Sequence, residues 1–252
     1  MSFDDPGLQP QPESPPSPRS AITPRIVALL EILICSDFPT QVAIGATLQV
    51  FGISQNDAHG RLSVAFVVGL SLADAIALIG LILIFLRVHG EHPRDVLFGR
   101  RRLLREAVVG VPMILVALGI AIAVLLSIQK LAPSLHTVEN NPLQDLLRSP
   151  RDAILFSLVV LVAGGVREEV QRAFLIHRFY VWLGGSVVGL VATSAAFGLG
   201  HLIQGVDAAL ATALMGAFWG AVYVRRRSCV APMVSHAGFD LLQVTQFFIV
   251  GR

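Results

Sequence analysis

Between residues 164 and 174 the chain reads Gly-Gly-Val-Arg-Glu-Glu-Val-Gln-Arg-Ala-Phe, so Arg167, Glu168, Glu169 and Arg172 all fall in one apolar stretch. Ionisable groups are costly in hydrocarbon and mark functional sites by default. Glu168 and Arg172 are four apart and Glu169 and Arg172 three apart, both spacings that meet on a helix face. One carboxylate can therefore be held by Arg172 while the other stays free for chemistry. His201 follows Phe197 by four residues, and His236 and Asp240, also four apart, share one face of a later apolar helix. Two His, two Glu and an Asp on three apolar helices have the makings of a hydrolytic site. A desolvated glutamate can activate water, and histidine can support a developing oxyanion directly or by holding a metal. The competing reading is that the charges only join helices through buried ion pairs.

These residues need elements to position them, and the composition says which. Hydrophobic residues make up 54% of the 252 and charged residues 14%, with apolar blocks near the roughly 20 residues needed to cross a bilayer. The expected fold is all-α, a polytopic membrane bundle of about seven spans at 26–53, 62–86, 107–129, 152–182, 186–204, 206–224 and 230–250. Glu31, Asp37 and Pro39 predict that the first span is kinked or faces protein. The fourth is longer than a bilayer requires. Gly185 with Gly189 and Gly216 with Gly220 have the GxxxG spacing of helix-packing surfaces.

Basic residues give the orientation. Arg87, Arg94, Arg100, Arg101, Arg102, Arg105, Arg225, Arg226 and Arg227 fall on one side of a seven-span topology, and Arg61, Lys130, Arg148 and Arg151 on the other. The positive-inside rule then puts the N-terminus in the cytoplasm, and the expected location is the plasma membrane. The arginine-rich 94–105 stretch, lying between spans, reads as a cytoplasmic loop rather than a nucleic-acid patch, so no nucleic-acid partner is expected. Membrane lipid is the expected surrounding. Cys35 and Cys229 are too few and too scattered for a disulfide framework. The proline-rich residues 1–25 read as a disordered cytoplasmic tail, residues 26–150 as N-terminal transmembrane helices and loops, and residues 151–252 as the segment that carries the chemistry.

That last segment resembles the CAAX protease and bacteriocin-processing family of intramembrane proteases, which includes the eukaryotic Ras-converting endopeptidase. The resemblance rests on an EExxxR-type helix, an FxxxH helix and an HxxxN or HxxxD helix, in that order. It implies that Glu168 activates water, that Glu169 is its partner in the glutamate pair, that His201 works on the same water, and that His236 and Asp240 belong to the oxyanion site. Arg172 would form a structural ion pair. It follows Glu169 by three residues where the family has four. Aligning Arg172 on the motif arginine would shift Arg167 and Glu168 onto the two glutamate positions, and Glu168 lies inside the motif in either register. Asp240 stands where many members have Asn.

Members are classed as metalloproteases, yet the chain has no HExxH helix. Zinc or another divalent metal on Glu168, His201 and His236 would be chemically reasonable, and a metal-free site fits equally well. The function implied is an intramembrane endopeptidase acting on a membrane-associated protein or peptide. The alternatives are a catalytically silent scaffold or immunity protein of the same fold, and a solute or proton transporter using Glu31, Asp37 and Asp74.

Overall fold

A computed structural model describes residues 18–138 and 142–250. The described residues are helical throughout, apart from turns and one isolated bridge between Asn56 and Leu62. In chain order the helices are α1 (Pro18–Ile34), α2 (Phe38–Val50), α3 (Val64–Val88), the short α4 (Pro93–Leu97), α5 (Leu103–Leu131), α6 (Pro150–Val159), α7 (Glu169–Trp182), α8 (Ser186–Gly200), α9 (Val206–Arg226) and α10 (Val230–Val250). A π-helical segment, Val160–Glu168, joins α6 to α7 without a break. Large apolar side chains such as Leu104, Leu115, Ile76 and Val187 are exposed around the bundle. Such a surface belongs in lipid, and the protein is an integral membrane protein.

Four helical stretches are long and apolar enough to cross a membrane: Ile22–Val50, Val64–Val88, Leu103–Leu131 and Val206–Arg226. Four of the seven expected spans, 26–53, 62–86, 107–129 and 206–224, are therefore matched by length and apolar content. The α6–α7 helix carries too much charge around Glu168. The 15 residues of α8 rise only about 22 Å, less than the roughly 30 Å of hydrocarbon. The expected kink is present, because the first span breaks between α1 and α2 where Asp37 adopts φ 79° ahead of Pro39. Helix begins at Pro18, so residues 18–25 do not extend the tail expected from composition; residues 1–17 lie outside the described residues.

The most extensive packing joins α5 to α10 and α8 to α9, with the π segment laid against α10. Small residues permit the approach. A Cβ on Gly216 would meet the Phe197 ring at 2.8 Å, and one on Gly220 would meet Leu190 at 2.6 Å, so this GxxxG pair is a packing surface as expected. The other pair divides. Gly189 packs on Phe179, whereas Gly185 has open space around it and supplies the φ of 99° needed in the α7–α8 turn.

The two ends of the bundle are tied differently. At one end the α4–α5 turn is stitched to the α9–α10 turn. Cys229 N–H donates to the Leu97 carbonyl at 2.9 Å, Arg101 Nε donates to the Arg226 carbonyl at 3.0 Å, and Arg226 grips buried Glu106 through two bonds of 2.7 and 2.8 Å. At the other end Arg148 donates to Asp57 at 2.9 Å and to the Leu62 carbonyl at 3.1 Å, and His136 Nδ1 lies 2.6 Å from Asp207.

Candidate active site

The site forms where the π segment and the start of α7 meet α10. Gly164 and Gly165 make the approach possible. A Cβ at Gly165 would lie 2.5 Å from that of Ala237, and one at Gly164 would lie 2.6 Å from Asp240 Oδ2. A wider π winding at this point also redirects the side chains that follow, and such windings recur at functional sites.

The two adjacent glutamates have different surroundings. Glu169 is almost fully buried, pairs with Arg172, and accepts from His236 Nδ1 at 2.8 Å. Glu168 faces a cavity and makes no hydrogen bond this close. Its nearest charged neighbours are Arg167 Nη2 at 3.6 Å and His236 Nε2 at 3.8 Å. Helical spacing allowed Arg172 to reach either carboxylate, and it takes the one three residues away.

His236 is held on several sides. Its ring stacks on Trp219 with centroids 3.9 Å apart, and Trp219 Nε1 donates to Ser235 Oγ at 3.0 Å. With Nδ1 donating to Glu169, its Nε2 is left toward Glu168 and toward Asp240 Oδ2 at 3.6 Å. Phe197 explains why a phenylalanine sits four residues before His201. Its ring packs edge-on to His201 at 4.8 Å and to His236 at 5.8 Å, and the Arg172 guanidinium lies 4.4 Å over it. His201, the residue that ends α8, donates Nδ1–H to the Phe197 carbonyl at 2.8 Å. That bond fixes its tautomer and leaves Nε2 as the acceptor nitrogen.

Glu168, His201, His236 and Asp240 line one cavity of about 470 Å³. Glu169 and Arg172 stand behind it. Away from these groups much of the wall is apolar, with Leu125, Phe156, Phe239, Val244 and Phe247, and Ser71, Thr212 and Gln243 are interspersed among them.

Sequence reasoning missed two parts of this arrangement. Arg167, 7% exposed at its side chain, pairs with Asp37 from the α1–α2 break, lies 3.7 Å from Asp74 of α3, and reaches toward Glu168. The signal was available, because two acids in apolar spans require a buried cation. Trp219 carried no signal beyond being apolar. Among the described residues no three His, Cys, Asp or Glu side chains are grouped to hold a metal ion. His236 has Nδ1 committed to Glu169 and His201 has Nδ1 committed to a carbonyl, which orients each ring and leaves each Nε2 as the nitrogen able to meet a ligand.

No curated protein and no solved structure matches the chain. The segment that builds the site does match a family model: residues 150–242, which include Glu168, His201, His236 and Asp240, match the one described as Type II CAAX prenyl endopeptidase Rce1-like, consistent with the CAAX-protease motifs that the sequence carries.

Proposed function

We propose that this protein is an intramembrane endopeptidase that hydrolyses a peptide bond of a membrane-associated protein or peptide, with residues 151–252 as its catalytic core, and that it resides in the plasma membrane with its N-terminus in the cytoplasm. The observation that carries this reading is the division of the glutamate pair, with Glu169 tied to Arg172 and His236 and Glu168 left facing the cavity. A carboxylate with no hydrogen-bonded partner at short range is free to accept a proton from water.

Glu168 takes a proton from a water also held by the His201 Nε2 lone pair, and the water oxygen forms the new bond to the substrate carbonyl carbon. His236, held by Glu169 through Nδ1 and stacked on Trp219, donates Nε2–H to the developing oxyanion in its imidazolium form, and its fixed position means that little reorganisation is needed. As the C–N bond breaks, the proton on Glu168 passes to the leaving amine. Asp240 can donate to the oxyanion only in its protonated form; ionised, it orients His236.

Neither alternative gains from the geometry. A transporter path would be lined by Asp37 and Asp74, but both gather on Arg167 and neither lines the cavity. A silent scaffold would hold Glu168 in short hydrogen bonds as it holds Glu169, whereas Glu168 has only Arg167 at 3.6 Å and His236 at 3.8 Å beside it. The test is comparative N-terminal sequencing of membrane proteins from cells with the wild type or Glu168→Gln. Cleavage products that vanish in the variant support the protease, and identical sets overturn it.

A further inference from the structure

The cavity and the arginine-rich end of the bundle lie on opposite sides of the molecule. From Glu168 and His236 the cavity runs along the N-terminal halves of α3 and α9 and the C-terminal halves of α5 and α10, past Ser71, Thr212 and Gln243. It reaches Gln144 and Leu147 in the 142–148 loop and Gln204 in the turn after α8. This is the end held together by Arg148 with Asp57 and by His136 with Asp207. The arginines of the 87–105 and 225–227 segments lie at the other end, where Leu97, Arg101, Glu106, Arg226 and Cys229 interlock. Two interfacial aromatics, Tyr180 and Trp182, are exposed at the end of α7, with Arg227 4.6 Å over the Tyr180 ring.

Short loops rich in arginine stay in the cytoplasm, and this charge bias sets the orientation of the whole bundle. We propose that the active-site cavity opens on the non-cytoplasmic face of the membrane, and that its substrate is an apolar peptide segment of an exported or membrane-anchored chain presented from that face. The apolar wall of Leu125, Phe156, Val244 and Phe247 suits such a segment, since it leads from the membrane face to the polar groups. The substrate class rests on the protease reading; the sidedness rests on charge and geometry alone.

The experiment has two arms. In the first, Cys35 and Cys229, both buried, are replaced by alanine, and single cysteines are introduced at Ser134 or Gln144 for the cavity end and at Val88 or Leu104 for the arginine end, leaving every arginine in place. Intact cells receive a membrane-impermeant biotin-maleimide. Ser134→Cys and Gln144→Cys label in intact cells, and Val88→Cys and Leu104→Cys only after permeabilisation. The reverse pattern overturns the proposal, and two positions at each end guard against one misfolded variant. In the second arm the termini lost in Glu168→Gln cells are mapped to one face of the membrane. Glu168-dependent products from non-cytoplasmic segments support the proposal. Products from cytoplasmic segments overturn it while leaving the protease reading intact. An absence of Glu168-dependent products, together with outside labelling of the cavity end, overturns the protease reading and the substrate class but leaves the sidedness standing.

Discussion

His236 Nδ1 lies 2.8 Å from Glu169 Oε1, and this one bond separates the roles of two adjacent glutamates. It commits Glu169, already paired with Arg172, to holding the imidazole, and it leaves the other ring nitrogen near Glu168 and Asp240. The consequences can be measured one residue at a time.

Glu168→Gln is expected to abolish cleavage, with a loss on the order of 10²–10⁴-fold, the range of a missing general base. The amide keeps the shape but cannot take a proton from water. Because Glu168 is only partly buried and lacks a close hydrogen bond, the melting temperature in detergent should hardly move. A large drop in melting temperature with retained turnover would reverse the assignment.

Glu169→Gln is expected to act chiefly on stability. It leaves the buried Arg172 guanidinium without its carboxylate, and breaking a buried pair from one side costs about 3–5 kcal/mol. Thermal unfolding should fall well below that of Glu168→Gln. Replacing Arg172 by Met in the same chain should recover part of the loss, since no unpaired charge then remains.

Gly165→Ala is expected to destabilise the protein by about 1–3 kcal/mol, the usual cost of overpacking a tight contact, because the added Cβ would lie 2.5 Å from that of Ala237. Pushing the π segment away from α10 also separates Glu168 from His236. Activity should therefore fall at temperatures where the variant is still folded, which paired unfolding and cleavage assays would reveal.

Stability should also depend on acid through Glu91, in the turn between α3 and α4. Burial pushes its carboxyl up, but hydrogen bonds from His177 and Arg178 outweigh that and hold it at about 2, against an ordinary value of 4.5. A carboxyl lowered on folding contributes stability that is complete above the unfolded value and is lost as pH falls through the folded one. Melting temperature should therefore decline between about pH 4.5 and about pH 2, and Glu91→Gln should flatten that decline. An unchanged slope in the variant would place the acid sensitivity elsewhere.

The elements that carry chemistry were legible because charge in an apolar helix is conspicuous. Glu168, Glu169, His201, His236 and Asp240 stand out in the sequence, and helical spacing places each on a definite face. The choice of partner for Arg172 was not legible, since spacings of three and four are almost equivalent on a helix and only the position of α10 decides between them. Four of the seven expected spans are long and apolar enough to cross a membrane, and the fourth expected span shows why the rest are harder to read. Residues 152–182 count as an apolar block, but the helix carries Arg167, Glu169 and Arg172, charges that face neighbouring helices. Arg167 shows the limit most clearly. Its partners Asp37 and Asp74 lie more than ninety residues earlier in the chain, on helices whose packing no local pattern specifies.

The break at Asp37 has a consequence for any attempt to move this chemistry elsewhere. Asp37 adopts a left-handed backbone that costs a non-glycine residue about 1–3 kcal/mol, and its carboxylate is anchored by Arg167, the residue next to Glu168. Asp74 approaches the same guanidinium, and Glu106 of α5 secures the turn that precedes α10. The segment bearing the family motifs is thus not a portable cassette. Grafted onto foreign helices, it would bring a buried arginine stripped of its counter-ions, and a working chimera would have to carry Asp37, Asp74 and Glu106 along with it.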